Sequence, residues 1–319
     1  MKQAWDGRIK ADARHLPIAD ESVQCIVTSP PYWGLRDYGS RDQIGLERTL
    51  EEYVETMRAV ALELWRVLKS DGTLWLNLGD CYHSGDAHRW KKSELQRGNR
   101  GNAETVRPNR LPQLGLKDKD LCGVPWRVAF ALQSDGWWLR SDIIWAKKSC
   151  MPESVTDRPT RAHEYLFLFA KSEEYYYDHE AIKEQSCYGI ANSPQSIASP
   201  YGQGFTRRAA GGGKKAGDIG HTNLKLCGTY ERSNKRDVWH LATIPYSGAH
   251  YAVFPQKLVE PCILAGSRPG DLVLDPFFGS GTVGRVCERF SRRWIGCDLA
   301  YQDLQLKRVT NVQKELMLR

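Results

Sequence analysis

Leu272-Val273-Leu274-Asp275-Pro276-Phe277-Phe278-Gly279-Ser280-Gly281-Thr282 passes from a short apolar run, through a glycine-rich turn, into a stretch with helical character, Val283 to Phe290. Short apolar runs closed by turn residues are the signature of strands buried on both faces. Glycines are needed where backbone turns tightly and approaches a ligand with no Cβ in the way, and the free N–H groups of the following helix suit a carboxylate. The next apolar run, Trp294-Ile295-Gly296-Cys297, ends in Asp298, where a Rossmann-like crevice usually carries the acid that holds ribose hydroxyls. A phosphate-binding P-loop is disfavoured, because no Lys-Ser/Thr follows the glycines.

Working outward, Val23 to Val27 and Thr73 to Leu78 are runs of the same kind. Between them Leu46, Leu50, Tyr53, Val54, Met57, Ala61, Leu64, Val67 and Leu68 recur at helical spacing, predicting a helix over Leu46 to Lys69 that Ser70-Asp71-Gly72 stops. Strand, helix, strand is a βαβ unit, so the fold class is α/β with a mostly parallel sheet. Trp137 to Trp145 and Tyr165 to Phe169 predict two further strands, close enough in sequence to pair antiparallel.

The first strand ends in Thr28-Ser29-Pro30-Pro31-Tyr32. Two consecutive prolines fix φ and remove two N–H donors, so the strand stops and the carbonyls of Ser29 and Pro30 are left for a ligand. A planar base with an exocyclic amine matches this arrangement. The amine donates to the Ser29 side chain and the Pro30 carbonyl, and the Tyr32 ring stacks on the base. An exocyclic nitrogen is a poor nucleophile, because its lone pair is delocalised into the ring. Hydrogen bonds to both its protons and alignment beside a methyl donor would supply much of the acceleration. No cysteine nucleophile is required for such a transfer.

The 319 residues suffice for one large α/β domain with an inserted module, and 41% hydrophobic content for a real core. A net charge of +7 favours polyanionic partners without demanding one. The cysteines include no C-x-x-C pair, so the composition suggests neither a zinc ribbon nor a disulfide framework, and no metal is expected. No apolar stretch approaches the roughly 20 residues of a membrane helix, which predicts a soluble, cytoplasmic protein.

Together these blocks resemble the β-class DNA amino-methyltransferases, in which Ser/Asp-Pro-Pro-Tyr precedes Phe-x-Gly-x-Gly. Ala11-Asp12-Ala13-Arg14-His15-Leu16-Pro17, Trp65 to Lys69 leading into Gly72 to Asn77, His163-Glu164-Tyr165 to Phe169, and Phe254-Pro255-Gln256-Lys257-Leu258 extend the likeness over roughly 7–80, 122–178 and 237–300. The resemblance implies a Rossmann-like seven-stranded sheet with helices on both faces and a permuted motif order. It implies that Asp275, Phe277, Gly279, Ser280, Gly281 and Thr282 shape an S-adenosylmethionine pocket. Asp298 would hold the ribose, Asp12 would lie near the adenine, and Ser29, Pro30, Pro31 and Tyr32 would receive a flipped base of duplex DNA. Ser before Pro-Pro-Tyr leans toward cytosine N4, with adenine N6 as the alternative.

The expected division is a target-base half over 1–81, a polar basic insertion over 82–120, the remainder of the sheet over 121–185, a target-recognition region over 186–236 and a cofactor half over 237–319. Arg207, Arg208, Lys214, Lys215, Arg232, Lys235 and Arg236 are the candidate DNA contacts. Two other readings compete. Protein-glutamine methyltransferases also present Pro-Pro-Tyr to a planar amide, but with Asn before it and the glycine motif upstream. A DNA-binding relative without catalysis is disfavoured by intact Ser29, Tyr32, Gly279, Gly281 and Asp298. The sequence contains no nuclease motif, so any restriction partner is a separate chain, and oligomeric state is not readable.

Overall fold

The computed structural model describes residues 7–37, 43–84, 112–150, 152–185, 232–242 and 255–299. The chain divides into two compact units, one formed by Met1–Asp178 with Arg236–Arg319, the other by His179–Lys235. In the first unit the strands are β1 (Arg8–Ile9), β2 (Val23–Thr28), β3 (Leu68–Leu78), β4 (Trp138–Lys147) and β5 (His163–Ala170). Two short strands of the second unit, β6 (Glu184–Gln185) and β7 (Arg232–Ser233), pair antiparallel after a 3-10 turn at Glu180–Ile182. The first unit then continues with β8 (Val238–Leu241), β9 (Leu272–Asp275) and β10 (Arg293–Cys297).

The main sheet runs β1-β10-β9-β2-β3-β5-β4-β8. It has eight strands rather than the seven expected, the two-residue β1 being held as an edge strand by its pairing of Arg8 with Gly296 and Ile9 with Cys297. All pairings are parallel except those of β5 with its two neighbours, so the close pair β4 and β5 is antiparallel as expected. Among the described residues the α-helices are α1 (Leu50–Val67), α2 (Val124–Ser134), α3 (Gln256–Gly266) and α4 (Thr282–Arg289).

Alternation along the buried strands feeds two cores. Ile26, Leu74, Leu76 and Phe167 share one with Tyr53, Leu64 and Val128 of α1 and α2. Cys25, Val27, Trp75 and Leu168 point the other way, toward the face that α3 covers. Helices therefore lie on both faces. The order in which strands follow one another reverses between the parallel neighbours β9 and β2: β2 leads through α1 to β3 on one side, β9 through α4 to β10 on the other. Such a switch point opens a crevice at the carboxyl ends of the strands.

Helix α1 begins at Leu50 rather than Leu46. Thr49 is its N-cap: its hydroxyl accepts from the Glu52 N–H at 3.1 Å, and the Glu52 carboxylate accepts from the Thr49 N–H at 3.2 Å. At the other end Leu68 is already extended, and Ser70-Asp71-Gly72 belong to β3. The sheet reaches back to meet the helix because Lys171 Nζ donates to the Leu68 carbonyl at 2.8 Å and Gln24 Nε2 to Asp71 Oδ1 at 3.1 Å. Replacing Thr49 by Ala should lower unfolding free energy by about 1 kcal/mol with an unchanged denaturant slope. Urea titration followed by circular dichroism measures both.

Candidate active site

Thr28 closes β2 and Asp275 closes β9, and the two strands are parallel neighbours. The Thr28 hydroxyl donates to Asp275 Oδ1 at 2.7 Å, which also accepts the Phe277 N–H at 3.1 Å. The two sequence motifs therefore share one hydrogen-bonded joint. Asp275 is 1% exposed, and burial pushes its carboxyl up to about 7, against the lowering effect of those two donors.

Beyond Asp275 the chain turns on Gly279 and Gly281, whose φ angles of 47° and 81° lie in the left-handed region. Gly281 is the N-cap of α4. The Gly279 N–H donates to Asp298 Oδ2 at 2.7 Å, the Phe278 N–H to the Cys297 carbonyl at 2.9 Å, and the Asp298 N–H to the Ile9 carbonyl at 3.2 Å. The loop is thus sewn to the end of β10, and β10 to β1. Asp12 follows β1 on the same edge, where the Arg14 guanidinium, 2.6 Å away, holds its carboxyl below the usual range. Asp12 and Asp298 thus follow adjacent parallel strands.

The two phenylalanines of the turn differ. Phe277 is partly exposed at the crevice, whereas Phe278 is buried and stacked on Trp294, ring centroids 5.0 Å apart. A Cβ on Gly296 would lie 2.2 Å from Phe278 Cγ, so only glycine at this position leaves room for that ring. Thr282 Oγ1, in the first turn of α4, is buried and has no hydrogen-bond partner among the described residues.

On the other side of the joint, Ser29-Pro30-Pro31-Tyr32 leaves the sheet. The Tyr53 hydroxyl donates to the Pro31 carbonyl at 3.0 Å, while among the described residues no donor reaches the Pro30 carbonyl. The Tyr32 ring lies against Gly79, where a Cβ would be 2.5 Å from Cε2. Its hydroxyl donates to Glu164 Oε2 at 2.7 Å and receives Asn77 Nδ2 at 2.6 Å. Asn77 Nδ2 also reaches Glu164 Oε2 at 3.0 Å and Ser29 Oγ at 3.3 Å. Burial and the Glu164 charge hold the Tyr32 phenol well above its ordinary pKa. Glu164 is in turn ion-paired with Lys147, whose ammonium lies 4.9 Å from the centre of the Trp145 ring.

Asn77, Glu164 and Lys147 carry no role in the sequence reading. The available signals were an Asn inside the apolar run Leu74 to Leu78 and an acid at the start of Tyr165 to Phe169. Of the basic candidates, Arg207, Arg208, Lys214 and Lys215 lie outside the described residues. In the second unit, Arg232 Nη2 donates to the Lys183 carbonyl at 2.8 Å and Lys235 faces Glu184 at 4.0 Å. Arg236, in the first unit, accepts the Trp239 indole N–H on its carbonyl at 2.6 Å.

Fold and crevice together define an α/β methyltransferase whose proline loop comes before its glycine turn in the chain. The chain belongs to the DNA methylase family that covers N6 and N4 amino-methyltransferases, whose profile matches residues 23–306. It is 46% identical over 307 residues to the type II methyltransferase M.Cfr9I of Citrobacter freundii, covering 96% of this chain and 86% of that one. It is 45% identical over 305 residues to M.SmaI of Serratia marcescens, covering 94% and 89%. Among solved structures, the PvuII DNA methyltransferase (cytosine-N4-specific) superposes with a TM-score of 0.58 at 19% identity, over 96% and 90% of the chains. TTHA0409 of Thermus thermophilus, a putative DNA modification methylase solved with S-adenosyl-L-methionine, gives 0.54 at 21%, over 96% and 94%. The protein is therefore a DNA amino-methyltransferase of the restriction-modification type, with S-adenosylmethionine as its cofactor. The crevice suits that cofactor, for the orphaned Thr282 hydroxyl and the Cβ-free turn leave polar atoms and space for it.

The joint and the turn can each be tested by stability. Folded Asp275 holds its proton up to about 7, whereas the unfolded chain releases it near the ordinary 3.8, so its contribution to stability falls as pH rises between these values. Thermal melts of the cofactor-free protein from about pH 4 to pH 8 should show a steeper loss for wild type than for Asp275→Asn. Gly296→Ala should cost about 1–3 kcal/mol by displacing Phe278, measurable in the same melts.

Proposed function

We propose that the protein methylates the N4 amine of cytosine in duplex DNA, with the base turned out of the helix into the pocket beside Ser29 to Tyr32. The observation that carries this is the open Pro30 carbonyl beside Ser29 Oγ, next to the Thr28–Asp275 joint. Two acceptors at the end of a strand suit the two protons of an exocyclic amine. When bound, S-adenosylmethionine supplies an electrophilic methyl group on a sulfonium centre. Asp275, Phe277, Gly279, Ser280, Gly281, Thr282, Asp298 and Asp12 hold and orient it along the ends of β9, β10 and β1. Ser29 and Pro30 align the amine and draw on its protons, encouraging the nitrogen to pyramidalise, and Tyr32 stacks on the ring.

Ser29 in place of Asp favours cytosine, and the PvuII neighbour is described as cytosine-N4-specific. The adenine N6 amine fits the same acceptors and is the second reading. The region 186–236, with Arg207, Arg208, Lys214, Lys215, Arg232, Lys235 and Arg236, supplies phosphate and base contacts, and 82–120 is the second candidate for that role. Any restriction endonuclease partner is a separate chain.

Duplex DNA incubated with labelled S-adenosylmethionine, then digested to nucleosides, should yield N4-methylcytosine. N6-methyladenine would replace the first reading by the second, and no label in DNA would remove both. Ser29→Ala should bind the cofactor with wild-type affinity in calorimetry and lose transfer by roughly 10- to 100-fold. Loss of cofactor binding in this variant would contradict the division of the site.

A further inference from the structure

We propose that the Lys147–Glu164 ion pair is a positioning device that sets the hydrogen-bond polarity of the target pocket. The inference rests on reading Ser29 to Tyr32 as the target-base loop. An ionised carboxylate only accepts hydrogen bonds. With Glu164 Oε2 2.7 Å from the Tyr32 hydroxyl and 3.0 Å from Asn77 Nδ2, Tyr32 must donate to it, and Asn77 must present its NH2 rather than its carbonyl oxygen. The cost of that choice is visible: Asn77 is 1% exposed, and its Oδ1 has no partner among the described residues. Turning the amide over would set its carbonyl oxygen against the carboxylate oxygen of Glu164.

The consequence runs outward to Ser29. Tyr32 gives its proton to Glu164 and takes one from Asn77, whose second N–H is shared between Glu164 Oε2 at 3.0 Å and Ser29 Oγ at 3.3 Å. The serine proton has an acceptor in the Tyr32 oxygen at 3.4 Å, so Ser29 Oγ keeps acceptor capacity for a ligand. Together with the open Pro30 carbonyl, the mouth of the pocket then consists of acceptors. An exocyclic amine is accepted there, and the carbonyl of thymine at the equivalent ring position is refused. Lys147 keeps the polarity in force. Its ammonium neutralises the other carboxylate oxygen, Oε1, and is itself fixed against the Trp145 ring. Geometry makes the device possible because β5 runs antiparallel: Trp145 pairs with Glu164 and Leu78 with Tyr165, so both ion-pair partners arrive at the edge where β2 and β3 end.

The test uses the full chain, labelled S-adenosylmethionine and PCR-amplified bacterial DNA, which carries no methylation. Glu164→Gln, whose amide can donate, should lower single-turnover transfer roughly 10- to 100-fold while cofactor affinity stays within about twofold. Tyr32→Phe removes the hydroxyl through which Glu164 acts, so Glu164→Gln combined with Tyr32→Phe should be far less impaired than the product of the two single losses. Lys147→Met should behave like Glu164→Gln, and Lys147→Arg should recover transfer. Wild-type transfer by Glu164→Gln, multiplicative losses in the double variant, or a parallel loss of cofactor binding would each overturn the assignment. If Glu164→Gln shows no melting transition, the Lys147 pair decides: equal transfer by the Met and Arg variants overturns it. A wild-type protein that labels no DNA would instead remove the proposed function itself.

Discussion

The hydrogen bond from Thr28 to Asp275 is the constraint on which the rest of the site depends. It is short, buried, and joins residues 247 positions apart in the chain. It can form only because β2 and β9 are hydrogen-bonded neighbours in parallel register, Cys25 opposite Val273 and Ile26 opposite Leu274. One strand carries its chain onward through α1, the other through α4, and the helices fall on opposite faces. A crevice opens between the strand ends at that switch point. A donor on one strand and an acceptor on the other thus keep the proline loop and the glycine turn at fixed separation, which is what aligning an amine with a methyl group requires. The same burial that makes the bond directional makes Asp275 reluctant to ionise.

Around this joint each loop is secured by its own backbone. The glycine turn hangs on Asp298 and Cys297, the proline loop on Tyr53, and Phe278 wedges between α4 and β10. These contacts are all made within the chain, so the loops that shape the crevice are held by the protein itself. Preorganisation of this kind lowers the ordering cost at the moment of binding.

Much of this was legible from residues alone. Val23 to Val27 and Leu272 to Leu274 stand out because a strand buried on both faces has no polar alternation to blur it, and their closing motifs are short and rigidly spaced. Thr49 and Glu52 form a capping box that can be read directly, yet the apolar spacing extends past it to Leu46 and hides the true start. Asn77, Glu164 and Lys147 were hidden for another reason. Asn77 and Glu164 meet across 87 residues, and the meeting depends on a register between β3 and β5 that periodicity does not report. Phe278 was masked by its neighbour: only the packing of Gly296 and Trp294 reveals which of two adjacent phenylalanines faces inward.

The reversed strand β5 carries an implication for how such a site can change over time. Parallel strands offer the crevice only residues that precede a loop, whereas β5 offers one that follows a loop, the stretch 148–162. Glu164 is held by its pairing with Trp145 and by the apolar run behind it, not by the length of that stretch. Insertions and deletions there can alter what lies beside the pocket without moving the acid within it. Diversification of the approach to the site is thereby decoupled from the chemistry at its floor.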